Sequence, residues 1–358
     1  MGGAVILDSG AASAGAALSV AADMLRLGRC DAVICVSADR AMGVMKYEKL
    51  RQAGRLASDP SHGPLDAQAA GFVPGEGVGA VLLKRLEDVD RSREKVLGVL
   101  RGVAMARAES LGEAVEAAAR RGLDRAGVAP EEVVAVETTC AGNAASDEQE
   151  VRALGRTYGP RPEERPLVVG TLAGQMGHVS GAAGMLSLVK TILALEHQAM
   201  PASVGLHTPA SFVAELGPKV RVVQRKTPLV PARDDGRLLA AVSCHNTKDT
   251  AYHMIVERPV PVPTRAPQSE RIEPRAGRPR VAFVFPGQGS QYAGMLKPLV
   301  EQFAPARRAF KEVEATLGRL GYPTFADLAW DNAEQLGKDV FRTQLAMLAA
   351  DTIVHAAV

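Results

Sequence analysis

A layered α/β fold is what the sequence predicts, and three observations predict it. Short apolar runs (Ala4 to Leu7, Ala32 to Val36, Ala80 to Leu83, Val133 to Glu137 and Leu167 to Gly170) have strand length and no helical period. Several of these runs pass through a small-residue turn into a helix-like segment, the alternation that builds a sheet with helices packed on it. The 35 glycines and the low aromatic content of 4% suit close approach of helices to strands.

Taken in order, Ala4 to Leu7 runs directly into Asp8, Ser9, Gly10 and Ala11, and Ala12 to Leu27 has the small-residue periodicity of a helix. Strand, tight turn and helix form the layout that holds a reactive side chain at a sharp elbow, with the helix N-terminus aimed at developing negative charge. Ala32 to Val36 is a buried strand. The segment Gly71 to Gly79 (GFVPGEGVG) feeds the strand Ala80 to Leu83. No Lys-Ser or Lys-Thr follows its glycines and a strand stands where a phosphate-binding helix would be needed, so the glycines mark close packing of backbones. Glu76 reads as a structural carboxylate accepting backbone N–H groups, and Lys84 and Arg85 as solvent-facing.

Leu97 to Gly102 continues a sheet, and Glu109 to Ala126 is an alanine-rich helix stopped by Gly127 with Pro130 beyond. The strand Val133 to Glu137 delivers Thr138 to Asn143 into a turn. The helix Asp147 to Leu154 follows, with Asp147 and Glu148 in the first turn, where the helix field favours anions. Leu167 to Gly170 leads through a turn to His178 and an amphipathic helix ending near Glu196.

Lys plus Arg total 42 against 40 for Asp plus Glu, a formal charge of +2, which offers no electrostatic case for nucleic acid or an anionic membrane surface. The four cysteines, Cys30, Cys35, Cys140 and Cys244, lack zinc-site spacing and the density of a secreted disulfide scaffold, so a reducing cytoplasm is expected. The first residues have no basic start and no run of 18 apolar residues follows, so the expectation is a soluble chain without signal peptide or membrane span. No tightly bound cofactor and no metal site are expected.

From Pro259 to Arg280, prolines, arginines and acidic residues replace the periodic pattern, as in a linker. Val281 to Phe285 starts a fresh strand, Pro286 to Gln291 a glycine-rich turn, and helices are expected over roughly Met295 to Leu320 and Arg342 to Val358. The expected organisation is therefore 1–258, a linker over 259–280, and a second α/β unit over 281–358 whose opening strand needs parallel neighbours.

At these turns the chain resembles the beta-ketoacyl synthase (ketosynthase) family of polyketide and fatty acid synthases. That family carries Asp-Thr-Ala-Cys-Ser-Ser-Ser, Glu-Ala-His-Gly-Thr-Gly-Thr continuing to Gly-Asp-Pro-Ile-Glu, and Lys-Ser-Asn-Ile-Gly-His. The matching stretches are Asp8 to Ala14 (DSGAASA), Glu137 to Asn143 continuing through Asp147 and Glu150, and Ala173 to His178 (AGQMGH). Further agreement lies in Pro64-Leu65-Asp66, Gly71 to Gly79, Gly181 to Lys190 and Tyr252-His253 to Glu257. The resemblance implies the second half of a thiolase-like fold, truncated at its N-terminus, over residues 1–258. Half of such a fold would expose apolar surface that its other half normally covers.

The resemblance also implies that the reactive residues are replaced. Ala11 stands at the cysteine position, Thr139 at the first histidine and Ala173 at the lysine, while His178 retains the second histidine. A methyl group cannot form the thioester that divides condensation into two steps, and a threonine cannot exchange a proton near neutral pH as imidazole does. Cys140 reads as a small packed thiol rather than a relocated nucleophile. His178 reads as a packed polar group or one that keeps a hydrogen bond to the Thr139 region. The segment Cys244 to Thr250 (CHNTKDT) is altered from the family's glycine-rich loop. This pattern resembles the chain-length-factor type of protein. Such a protein implies an active ketosynthase as dimer partner, an acyl carrier protein bearing phosphopantetheine, and acyl or malonyl thioesters; a non-catalytic docking protein is the alternative.

Phe283 to Met295 (FVFPGQGSQYAGM) resembles the opening of malonyl/acyl transferase domains, whose architecture is ferredoxin-like plus hydrolase-like α/β, and Arg342-Thr343-Gln344 to Leu348 matches a second segment. Gln288 takes the position that lies near the oxyanion hole in that family. Ser290 belongs to the opening loop and is not a nucleophile; the expected Gly-His-Ser-x-Gly does not occur, so this second unit is read as truncated at its C-terminus.

Overall fold

The computed structural model describes residues 4–40, 43–91, 93–159, 161–246, 248–259, 281–286 and 292–357, in two compact units, Met1–Pro286 and Gly287–Val358. In the first unit the chain forms β1 (Ala4–Leu7), α1 (Ser13–Arg26), β2 (Ala32–Asp39), α2 (Val44–Gln52), β3 (Gly77–Lys84), β4 (Val99–Arg107) and α3 (Leu111–Ala126). It continues with β5 (Val133–Thr138), α4 (Ala144–Tyr158), β6 (Leu167–Thr171), α5 (Ala173–Met176), α6 (Ala183–Glu196), β7 (Ala199–Met200) and α7 (Ser211–Ala214). Then come β8 (Val220–Val222), β9 (Thr227–Pro228), β10 (Leu239–His245), β11 (Thr250–Glu257) and β12 (Val281–Pro286).

Among the described residues the strands form a four-stranded sheet in the order β1-β12-β2-β3 and a six-stranded sheet in the order β4-β11-β10-β5-β6-β8, with β7 and β9 paired apart. α1 and α6 lie between the two sheets. Their buried residues, among them Ala14, Leu18, Ala21, Met185 and Leu188, share one core with Val33 and Cys35 of β2 and Ala240, Val242 and Cys244 of β10. Each fully buried large side chain there, such as Leu18 or Met185, contributes about 2–3 kcal/mol. Small residues let the helices approach: a Cβ on Gly184 of α6 would stand 2.8 Å from the Cys244 sulfur. A second core lies on the far side of the six-stranded sheet, where α3 and α4 pack on β5, β6, β10 and β11.

The alternation of strand and helix read from the sequence is present, and the helix ends have local causes. Ser110 and Glu113 form a capping box at the start of α3, and Gly127 closes that helix in the left-handed conformation at φ 62°. β5 and β10 are buried along their whole length, as strands of a sheet covered on both faces require.

Several expectations are corrected. Arg85 does not face solvent: its guanidinium donates to the carbonyls of Leu25 and Cys30 at 3.0 and 2.9 Å, satisfying the end of α1, and to Asp31 at 3.0 Å. Lys84 pairs with Glu94 at 2.6 Å. Glu76 is exposed, and no backbone N–H among the described residues donates to it. The helix expected over Met295 to Leu320 divides into α8 (Lys297–Gln302) and α9 (Ala304–Arg319), because Pro305 restarts the helix in its first turn.

The strand Val281–Pro286 pairs in parallel with β1 on one side (Ala4 with Phe283) and with β2 on the other (Val281 with Ala32). The units thus divide after Pro286, where the sequence suggests a boundary at 280/281. The physical reason is that β1 and β2 each present a free parallel ladder toward a gap one strand wide, and an apolar strand satisfies both. In the second unit, α10 (Val340–Ala357) packs with α9 and a π-helical turn at Asp327–Asp331 around Phe325, Leu328, Ala346 and Ile353. Trp330 stacks on Phe310 at 4.9 Å and donates to the Met295 carbonyl at 2.9 Å. Gln288, Ser290 and nearly all of the 259–280 segment lie outside the described residues. No helix among the described residues is long and apolar enough to cross a membrane.

Candidate functional site

The elbow after β1 is built by short side chains. The Asp8 carboxylate accepts from Gly10 N at 3.0 Å, and Gly10 takes φ 60°, which a residue without Cβ adopts readily. Ser13 Oγ donates to the Gly10 carbonyl at 2.7 Å and accepts from Ser9 N at 2.9 Å, tying the 3-10 turn Gly10–Ala12 to the start of α1. Ala11 sits half-buried on this turn, and its carbonyl lies 3.7 Å from the Cys244 sulfur.

The end of β10 gathers the other turns. Thr139, after β5, donates from Oγ1 to the Ser243 carbonyl at 3.0 Å, so Ala11 and Thr139 meet adjacent residues of one strand. Thr171 Oγ1 donates to the Cys140 carbonyl at 2.5 Å and accepts from Ala173 N at 3.3 Å, which brings Ala173 into the same cluster. The loop before α6 also reaches the elbow: a Cβ on Gly181 would stand 3.7 Å from the Gly10 carbonyl, and Ser37 Oγ donates to the Gly181 carbonyl at 3.0 Å.

His178 is placed differently. Its backbone bridges the glycine-rich segment, donating to the Val73 carbonyl at 2.7 Å and accepting from Gly75 N at 3.0 Å, and its ring lies 4.6 Å from that of Phe72. It makes no hydrogen bond to Thr139. Burial pushes its pKa down to about 4, with the charges of Lys46, His245 and Arg55 acting in the same direction, so the ring is neutral. Gly75 serves this contact: a Cβ there would stand 2.0 Å from the Met176 carbonyl.

Sequence reasoning misses the strongest electrostatic element. His245 Nε2 faces Glu150 Oε2 at 3.1 Å and Nδ1 faces the Asn246 carbonyl at 2.8 Å, so both ring nitrogens stand beside oxygens, an arrangement that favours the protonated ring. Glu150 is completely buried and also accepts from Thr139 N at 3.1 Å. Burial opposes the charge on each partner, yet their mutual attraction prevails: the His245 pKa is raised and that of Glu150 lowered. Glu150 stands in a matched motif, but nothing in CHNTKDT signals a partner about a hundred residues away.

Two further buried acids surround this pair. Burial pushes Glu137 up to about 7 against the pull of Lys190 at 3.0 Å. Burial likewise pushes Asp147 up to about 7, although it accepts from Gly142 N at 2.8 Å and Ala141 N at 3.2 Å. Cys140, 3.3 Å from Glu150, is raised well above the usual thiol value by burial and by these carboxylates. Its thiol stays protonated, which suits the packed-thiol reading. All four cysteines are buried and stand outside any disulfide. No group of three or more His, Cys, Asp or Glu among the described residues could hold a metal ion.

An elbow at a helix N-terminus and the turn after β5 both meet the end of β10, with the turns at Thr171 and Gly181 beside them, in an α/β thiolase-like ketosynthase fold. Residues 1–89 match the family model "Beta-ketoacyl synthase, N-terminal domain" and residues 98–207 match "Beta-ketoacyl synthase, C-terminal domain". The chain is 31% identical over 327 residues to a phenolphthiocerol/phthiocerol polyketide synthase protein of Mycobacterium tuberculosis, covering 89% of this chain and 16% of that protein. It is 33% identical over 308 residues to the spectinabilin polyketide synthase system protein NorA of Streptomyces orinoci, covering 82% and 16%. Among solved structures, the oxazolomycin ketosynthase domain OzmH KS7 of Streptomyces albus JA3453 superposes with a TM-score of 0.65 at 26% identity, covering 74% of this chain and 48% of that one. The chain therefore spans about half of a ketosynthase domain and a small share of the synthases it matches. Over residues 1–207 it belongs to the beta-ketoacyl synthase family, related to the ketosynthases of polyketide synthases.

Proposed function

We propose that residues 1–258 act as a ketosynthase-like unit of the chain-length-factor type. Such a unit is silent in carbon–carbon bond formation and supports acyl chain elongation carried out by an active ketosynthase partner on acyl carrier protein. One observation carries this reading: the elbow presents the methyl group of Ala11, where a thioester-forming condensation needs a nucleophile. Among the described residues its surroundings offer no replacement. The Cys140 thiol is held protonated, the His245 ring has both nitrogens engaged, and the His178 ring is packed on Phe72. The substrates in this reading are acyl and malonyl thioesters on the phosphopantetheine arm of the carrier protein. Residues 281–358 carry sequence of the malonyl/acyl transferase class, supported by Phe283 to Met295 and by Arg342 to Leu348.

Incubating the purified chain with malonyl- and acyl-carrier protein, followed by intact-protein and peptide mass spectrometry, tests the silence. The expected result is no covalent acyl adduct in residues 1–258, and a stable adduct there overturns the reading. Co-purification with an active ketosynthase that changes the length of the product supports the elongation role. Co-purification with unchanged product supports the second reading, a docking protein.

A further inference from the structure

Among the described residues the six-stranded sheet has two outer strands, β8 and β4, and their open edges are finished differently. β8 has three residues, too short a ladder for another strand to grip. β4 has nine and, among the described residues, pairs with β11 alone. The acceptors on its open side are taken. Arg125 of α3 donates from its guanidinium to the Val103 carbonyl at 2.6 Å, and Arg121 donates to the Met105 carbonyl at 3.0 Å. These two carbonyls therefore point away from β11, and in an antiparallel pair the N–H of a residue points to the same side as its carbonyl. The fit has a geometric cause. Four residues of helix rise about 6 Å and two residues of strand about 6.8 Å, so side chains four apart on α3 fall opposite alternate carbonyls of β4. Small residues bring the two elements together: a Cβ on Gly102 would stand 2.9 Å from the Gly122 carbonyl.

We propose that Arg121 and Arg125 guard the open edge of β4 against strand addition by a second copy of this chain. Without them, two copies join edge to edge through Val103 and Met105. A second copy is the fitting occupant because every chain carries the identical edge, and antiparallel pairing about a two-fold axis is self-complementary. Unpaired charge does not protect this edge in the arginines' place: Arg101 and Arg107, which flank it, are already paired with Glu257 and Asp249. Met105 adds an apolar side chain that is 45% exposed, which favours association. The inference goes beyond the elongation role and stands whether or not the elbow is silent.

Native mass spectrometry of the full chain and its variants at one protein concentration tests this. Arg121→Ala with Arg125→Ala is expected to raise the population at twice the parent's mass at least about tenfold, since each freed carbonyl gains a backbone donor. Arg120→Ala with Arg156→Ala removes the same charge from two partners of Glu116 away from the edge, and is expected to keep the parent's mass. Adding Met105→Pro to the first pair takes away an outward N–H, a loss an edge strand tolerates, and is expected to restore the parent's mass. Hydrogen exchange gives a second reading: the Val103 and Met105 amides should exchange more slowly in the associated variant than in the parent. Circular dichroism checks folding, and should the double variant unfold, Arg121→Ala alone is read in the same way. Three results overturn the proposal: no mass doubling when the edge arginines are removed, equal association of the Arg120 and Arg156 variant, or association that Met105→Pro leaves intact.

Discussion

Replacing His245 by leucine removes the cation from a buried pair and leaves the Glu150 carboxylate inside. Glu150 is 0% exposed and His245 4%. Removing one member of such a pair costs about 3–5 kcal/mol, because the remaining charge keeps its desolvation penalty without its partner. Thr139 N, at 3.1 Å, still donates to the carboxylate and limits the loss. The pH dependence has a definite sign. His245 has a raised pKa, so its stabilisation is complete below the usual value of 6.5 and is lost as pH rises through the folded value. Glu150 has a lowered pKa, so its stabilisation is complete above 4.5 and is lost as pH falls through the folded value. The variant should differ most from the parent between these limits. The chain supplies its own probes: the four cysteines lie buried in the first unit, and the single tryptophan, Trp330, lies in the second. Urea titration at about pH 6, followed by thiol labelling, should show the first unit weakened by about 3–5 kcal/mol while Trp330 fluorescence keeps its midpoint. Adding Glu150→Leu should recover much of the loss, since no charge is then left unpaired. A loss below about 1 kcal/mol, or one larger at about pH 9 than at about pH 6, would refute the buried imidazolium.

Asp66 accepts from the backbone N–H groups of Thr208, His207 and Gln68 and pairs with His62; these outweigh its burial and lower its pKa to about 2. Asp66→Asn should cost about 2 kcal/mol at neutral pH, and in the parent this contribution should fade as pH drops from about 4 through about 2, read by far-UV circular dichroism in acid titration. Gly75→Ala should destabilise the first unit by about 1–3 kcal/mol in the same urea assay, because its Cβ would meet the Met176 carbonyl. Cys35, Cys140 and Cys244, all raised by burial, should resist iodoacetamide in the native protein at neutral pH, and peptide mass spectrometry finding Cys140 alkylated without unfolding would contradict the packed thiol.

Much of the first unit is legible in the sequence because its signals are local. The elbow needs only small residues after an apolar strand, and α3 announces its ends through Ser110, Glu113 and Gly127. The glycine-rich segment is legible as a packing device, since a glycine run feeding a strand has few other uses. The helix α2 and the strands β10 and β11 escape sequence reasoning, although the apolar run Leu238 to Val242 carries a usable signal for β10. Arg85 departs from its expected place because a basic residue after a strand has no local mark of the carbonyls it will meet.

The order of apolar runs and turns, and the methyl group at the elbow, belong to the sequence alone, for they depend on residue identity and short-range spacing. Tertiary structure decided what those residues touch. It joined Glu150 to His245 across 95 positions, set Thr139 and Ala11 on neighbouring residues of β10, and placed Val281–Pro286 between β1 and β2. Strand pairing and buried charge pairing are contacts between distant segments, and their energies arise only when folding removes water from both sides at once.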